Sequence, residues 1–263
     1  MDCRLWTNNM KQIPNLFTLL NLFFGSIAII FILQTSEAIV YVDAEGLSTI
    51  NLPEKITWGC LFIFIAAIVD FLDGFVARLF KASSAMGEQL DSLADVVSFG
   101  VAPGMILYQL LRISFAAGPD GLDTSIGWLL PALIIPCAAA WRLAKFNIDE
   151  NQTTNFRGLP TPSAGLIITS LPLVAFYNQF GLASLVFNHW FLYAVIALLS
   201  FLMVSNLPLM SLKFKNFTIK DNLPKFILIV LAIVAGIFLK WLAVPLVFVA
   251  YIILSLAFKN KTT

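Results

Sequence analysis

Charge is scarce in this sequence: only 12% of its 263 residues are Asp, Glu, Lys or Arg, against 59% hydrophobic. So few polar groups cannot cover the surface of a soluble domain, which excludes an ordinary soluble fold. Cysteine is nearly absent. Cys3, Cys60 and Cys137 show no paired or metal-type spacing, and two of them lie in apolar runs. They are expected to be packing residues, without disulfides. The sequence also lacks internal repeats, low-complexity tracts and a polar stretch long enough for a second, soluble domain. A net charge of +1 offers no basic excess, and no nucleic-acid partner is expected.

What the sequence has in quantity is apolar length, including 24 Phe suited to a lipid-facing surface. Residues 1–14 are mixed and suit a membrane interface. Residues 16–33 are long enough to cross a bilayer. No small-residue cleavage site follows them cleanly, so they are expected to remain as an anchor helix rather than be removed as a signal peptide. Further apolar runs cover 56–69, 126–144, 164–177, 190–203, 226–239 and 242–258. Another helix begins after a polar turn at 81–85 and continues past 100, where Gly100, Pro103 and Gly104 are expected to kink or break it. The expected fold is an all-α integral membrane protein of about eight transmembrane helices. Its parts are an interfacial segment (1–14), a six-helix catalytic core (15–204), and a basic loop with a two-helix extension (205–263).

One stretch does not belong in lipid. Residues 70–95 read DFLDGFVARLFKASSAMGEQLDSLAD, with four aspartates among apolar neighbours. On a helix, Asp70, Asp73, Gly74, Ala77 and Arg78 fall at i, i+3, i+4, i+7 and i+8, forming one stripe. Ser84, Gly87, Asp91, Asp95 and Ser98 form a second. Each Asp at the bilayer centre costs about 2.5–3.5 kcal/mol on insertion scales, and one Arg cannot neutralise four. Hard divalent cations can, because carboxylate oxygens are their preferred ligands. A single buried Asp is as often a packing or salt-bridge residue, but four on two matched stripes are hard to explain that way. By geometry Asp70, Asp73 and Asp91 suit metal binding. Asp95, one turn further, could bind metal, accept a proton, or both.

The spacing D-x2-D-G-x2-A-R-x8-G-x3-D-x3-D fixes eight positions, and in these the chain resembles the CDP-alcohol phosphatidyltransferases. These are integral membrane enzymes that move a phosphatidyl-type group from a CDP-alcohol to a second alcohol. The resemblance implies that Asp70, Asp73, Asp91 and Asp95 hold two Mg²⁺ or Mn²⁺ ions and that Asp95 is the general base. It also implies that Gly74, Arg78 and Ser84 touch the CDP-lipid, with Ala77 and Gly87 leaving room for the nucleotide. From the residues alone, Arg78 can equally balance local charge, Ala77 and Gly87 can simply permit close helix packing, and Ser84 can cap a helix. Asn15, Thr18 and Asn21 sit at i, i+3 and i+6 on the first helix. Capping and helix–helix hydrogen bonds explain these as well as ligand contact does; Asn15 and Thr18 are assigned to the CDP-lipid site.

Three further stretches, IPNLFTLLNLFFG, DSLADVVSFGVAP and RLAKFNI followed by FRGLPTPSAG, resemble the serine-using branch of the family. They imply CDP-diacylglycerol and L-serine as substrates, phosphatidylserine and CMP as products, and a membrane-lipid environment. A homodimer is likewise a family expectation. A serine pocket must meet a carboxylate and an ammonium group, for which Arg142, Asn147, Asn155 and Arg157 are the candidates; as positive-inside anchors Arg142 and Lys145 would need no such role. Sister enzymes using glycerol 3-phosphate or inositol phosphate should carry a denser basic cluster beside the aspartates. A cation-coupled transporter would account for intramembrane acids, but not for acids gathered near one membrane face without inverted repeats. Of the 16 basic residues, all but Lys55, Arg112 and Lys240 fall on one side in this topology. Both termini and the aspartates are therefore expected to face the cytoplasm.

Overall fold

The computed structural model describes residues 13–34, 40–42, 48–50, 52–80, 84–116, 123–148, 156–178, 180–210 and 219–258. Helix α1, Ile13–Leu33, starts with Pro14 in its first turn, where a missing N–H costs nothing. A two-stranded antiparallel ribbon, β1 (Val40–Val42) and β2 (Ser48–Ile50), follows within the segment expected to be only loop. Helix α2 then runs unbroken from Glu54 to Phe80. The sequence reading ended this helix where the aspartates begin. Instead the helix carries Asp70 and Asp73 in its last third, because a backbone in lipid satisfies its hydrogen bonds only by staying helical.

Helix α3, Ala85–Asp95, is capped by Ser84, whose Oγ accepts from the Gly87 N–H at 3.0 Å. It passes directly into a π turn, Val96–Val101, and then into α4, Ala102–Ala116. The expected break therefore falls at Gly100, within the π turn, and not at Pro103 or Gly104, both of which lie inside regular α4. Two 3₁₀ turns, Ile126–Trp128 and Leu130–Leu133, lead into α5, Ile134–Ile148. Beyond it come β3 (Phe156–Arg157), α6 (Thr161–Tyr177), the short α7 (Ala183–Val186) and α8 (His189–Val204). Strand β4, Pro208–Leu209, pairs antiparallel with β3. Helix α9 (Ile219–Leu239), a 3₁₀ turn (Lys240–Leu242) and α10 (Ala243–Ala257) complete the described chain.

Helix α9 and α10 form a hairpin whose turn lies near Leu173 and Tyr177 at the end of α6, while Tyr251 returns to donate to the Met210 carbonyl at 2.8 Å. The turn needs Lys240 at φ +48, a left-handed residue. Counting α3 with α4 as one rod, the longer helices among the described residues are α1, α2, α3–α4, α5, α6, α8, α9 and α10. The segments 14–33, 54–79, 85–116 and 222–257 are long and apolar enough to cross a membrane, and α6 and α8 are shorter apolar helices. Apart from the two small ribbons, the architecture is all-α, an integral membrane protein as expected.

The core lies between α1, α2, α4, α5, α6 and α8, around fully buried Ile32, Ile56, Phe99, Leu110, Ile135 and Ile168. Lipid-facing side chains such as Phe23, Ile68, Phe201 and Phe238 are exposed, as the bilayer rather than protein covers them. Two close approaches fix the site end of the bundle. A Cβ on Gly25 of α1 would stand 2.9 Å from both Cα and Cβ of Ser98, and a Cβ on Gly165 of α6 would stand 3.0 Å from the Phe99 carbonyl. Both glycines thus seat their helices directly on the π turn.

Candidate active site

Asp70 and Asp73 come from the last third of α2, and Asp91 and Asp95 from α3. Side chains from the stripes on these two helices converge. Carboxylate oxygens of Asp70, Asp91 and Asp95 lie within 4.8 Å of one another. Asp95 is only 7% exposed, and the other two are half-buried. Asp73, also buried, lies outside this 4.8 Å group but is an electrostatic neighbour of Asp70 and Asp91, and it accepts a hydrogen bond from Thr18 Oγ1 of α1. The structure thus gathers three of the four aspartates and ties the fourth to α1.

The trio suits a hard divalent cation. Its donors are carboxylate oxygens only, and oxygens on opposite sides of Mg²⁺ or Ca²⁺ lie about 4 to 5 Å apart. Three carboxylates in so small a volume would repel strongly without positive charge among them, and Arg78, the basic residue of the motif, is exposed on α2.

The remaining motif residues divide. Gly74 faces open space, with nothing within 4 Å of an added Cβ, and Ala77 is half-buried on the same helix. Gly87 lies against α1: an added Cβ would stand 2.9 Å from Asn15 Oδ1. Asn15 and Thr18 are buried and belong to this neighbourhood. Ser84 serves as the cap of α3, the structural alternative that the sequence left open.

Arg142 of α5 is 9% exposed. Its Nη1 donates to Thr161 Oγ1 at 3.1 Å, its guanidinium lies 6.0 Å from the centroid of the Phe146 ring, and Nε has no hydrogen-bond partner among the described residues. It is an electrostatic neighbour of Asp95. A cleft of about 300 Å³ beside it is lined by Trp141, Lys145, Phe146, Ser205 and Asn206 among others, with Lys145 Nζ donating to Asn206 Oδ1 at 2.7 Å. Asn147 donates from Nδ2 to Ser92 Oγ at 2.9 Å, which joins α5 to α3 between Asp91 and Asp95. Arg157 is placed only as the backbone of β3, and Asn155 lies outside the described residues.

Sequence reasoning missed two groups. Asn21 is fully buried and its Nδ2 donates to Asp95 Oδ1 at 3.5 Å, while Thr161 fixes Arg142. Asn21 was visible as the third member of the α1 polar stripe; Thr161 had no such signal.

A model of the CDP-alcohol phosphatidyltransferase family matches residues 11–204, which include all of these helices and every member of the acidic centre. The chain belongs to the CDP-alcohol phosphatidyltransferase family. It is similar to a CDP-diacylglycerol–serine O-phosphatidyltransferase of Helicobacter pylori (strain ATCC 700392 / 26695), with 33% identity over 227 residues, 85% of this chain and 81% of the relative. A protein of the same description from Mycobacterium tuberculosis (strain ATCC 25618 / H37Rv) is 30% identical over 254 residues, 92% of this chain and 76% of the relative. An archaetidylserine synthase of Methanothermobacter thermautotrophicus is 36% identical over 126 residues, 47% of this chain and 50% of the relative. Members of this transferase family generally depend on a divalent metal, which accords with the carboxylate trio.

Proposed function

We propose that the chain transfers the phosphatidyl group of CDP-diacylglycerol to L-serine, forming phosphatidylserine and CMP. The observation that carries this reading is the meeting of the Asp70, Asp91 and Asp95 carboxylates between α2 and α3, in a chain whose relatives are described as serine transferases. In the reaction the serine hydroxyl oxygen attacks the phosphorus that bears diacylglycerol. The P–O bond to CMP breaks, CMP leaves, and the hydroxyl proton passes to a base.

Asp70, Asp73, Asp91 and Asp95 are the residues that would hold two Mg²⁺ or Mn²⁺ ions. Such ions, when bound, supply positive charge to the pyrophosphate oxygens and the departing phosphate. Asp95 takes the hydroxyl proton; it is the most buried of the trio and the one beside Arg142. Thr18 holds Asp73, and Asn15 with Gly87 forms the close floor on which the nucleotide rests. Gly74, Ala77 and Arg78 line the open side of α2 for the CDP-lipid, and Ser84 contributes by setting the start of α3.

For the acceptor, Arg142 offers an unpartnered Nε toward a carboxylate, which binds a guanidinium best through Nε and Nη together. The adjoining cleft and Asn147 supply further polar contacts, and Arg157 and Asn155 are assigned to the same acceptor from the sequence alone. From the distribution of basic residues we assign the aspartate end and both termini to the cytoplasmic side of an inner membrane. In the structure Lys240 lies at the far turn, and Lys55 starts α2 some 15 residues before Asp70, about 22 Å along the axis. Residues 205–263 form an extension outside the catalytic core, and a homodimer is the assembly we assign.

The test is CMP release by purified protein given CDP-diacylglycerol and, separately, L-serine, D-serine, glycerol 3-phosphate and inositol phosphate. L-serine should turn over fastest. Faster release with a phosphorylated acceptor would replace this reading with that of a sister transferase.

A further inference from the structure

Three polar side chains of α1 turn to the acidic centre, and each meets a different partner: Asn15 beside Gly87, Thr18 on Asp73, Asn21 on Asp95. Asn21 has no exposed surface, and its Oδ1 is buried without a hydrogen-bond partner among the described residues. An orphaned amide oxygen costs stability, and an apolar side chain of the same size would fill the space without that cost. Stability therefore does not account for an asparagine at this position.

The same residue is held by its backbone. Ser98 Oγ donates to the Asn21 carbonyl at 3.1 Å, and Gly25, one turn on, lies against Ser98 so closely that a side chain has no room. Asn21 thus grips both sides of the junction between α3 and the π turn: Asp95, the last residue before it, and Ser98 within it. A π turn departs from the regular ladder and so changes the register between the side chains before it, such as Asp95, and those within it, such as Ser98. A contact from a second element to both fixes that relation.

We infer that Asn21 is the positioning residue for Asp95. Its Nδ2 fixes Oδ1 of the carboxylate from α1, and Oδ2 is then the oxygen presented to the acceptor hydroxyl. The 3.5 Å separation is long, as such bonds are before the reacting complex forms. The inference rests on the proposed role of Asp95 as base.

The experiment compares wild type, Asn21→Leu, Asn21→Ala and Asp95→Asn for kcat, serine KM, CDP-diacylglycerol affinity and thermal midpoint. Asn21→Leu removes the donor and the orphaned oxygen at nearly constant volume. It should keep or raise the midpoint and leave CDP-diacylglycerol affinity within about twofold, yet lower kcat about 10- to 100-fold, the scale of a misaimed reacting group. Asn21→Ala should show the same fall in kcat with a lower midpoint. If Asp95→Asn stops turnover and Asn21→Leu leaves kcat within about twofold, the positioning role is wrong and the base stands. If Asp95→Asn turns over normally, the base assignment itself fails. Loss of folding in both Asn21 variants, or loss of lipid affinity in step with kcat, would overturn the inference in favour of a structural role.

Discussion

Replacing Gly25 by alanine tests how tightly α1 is seated on the π turn. The new Cβ would stand 2.9 Å from Ser98 Cα and 2.9 Å from Ser98 Cβ, and closer still to Oγ. Ser98 can rotate Oγ away, but Cα and Cβ are fixed by the backbone. Carbon atoms rest at about 3.5–4.0 Å, so α1 must retreat by about 0.6–1 Å. Overpacking of this kind costs about 1–3 kcal/mol. The retreat also lengthens the contacts that α1 makes to the acids, Thr18 to Asp73 and Asn21 to Asp95. Misplacement by about 1 Å can lower a rate about 100-fold. The assay is a thermal midpoint in detergent together with CMP release, and Gly236→Ala is the control. Gly236 lies in α9 with nothing within 4 Å of an added Cβ, so alanine there should be neutral or, through helix propensity, stabilising by up to about 1 kcal/mol. Equal midpoints and equal rates for the two variants would refute the packing argument.

Arg142→Lys removes Nε and the planar fork while keeping the charge, and it should raise serine KM about tenfold or more with CDP-diacylglycerol affinity little changed; steady-state kinetics in both substrates checks this. Gly158→Ala should destabilise by more than about 1 kcal/mol, since its φ is +75 and an added Cβ would stand 2.7 Å from the Met203 and Ser205 carbonyl oxygens; unfolding midpoints decide it. Cysteines placed singly at Asp43 and Asp123 should react with an impermeant thiol reagent in sealed cells, and one at Lys215 should not. Reaction at Lys215 alone would invert the assigned orientation.

The parts of the site that were legible in the sequence are those whose presence in lipid is costly. Four aspartates in an apolar run stand out because each must be compensated, and their spacing placed them on two helix faces before any fold was known. The helices were legible for the same reason, since long apolar runs have few alternatives in a bilayer. Their limits were less so. Apolar character fades at Asp70, yet α2 continues to Phe80, because the helical ladder outweighs the preference of Gly74 against a helix interior. Asn21 and Ser98 were visible on polar stripes but their partners were not, because asparagine and serine in membrane helices are commonly packing residues. The π turn at Val96–Val101 has no composition of its own. It arises where Gly25 and Gly165 let two helices press against one segment, a relation between distant parts of the chain. The bond of Asp73 to Thr18 depends on the rotation of α1, which spacing within α2 does not reveal.

The central claim is that the carboxylates of α2 and α3 hold the divalent cation on which transfer to serine depends. The most direct measurement is calorimetric titration of Mg²⁺ and Mn²⁺ into metal-stripped wild type, Asp70→Asn and Asp91→Asn, with phosphatidylserine formation followed in the same preparations. Wild type should bind the cation and regain activity as it does so. Each variant should bind markedly more weakly and form product at least 100-fold more slowly, since each has lost a ligand that stabilises the reacting phosphate. Undiminished phosphatidylserine formation by the stripped protein in excess chelator, or by Asp91→Asn, would contradict the account.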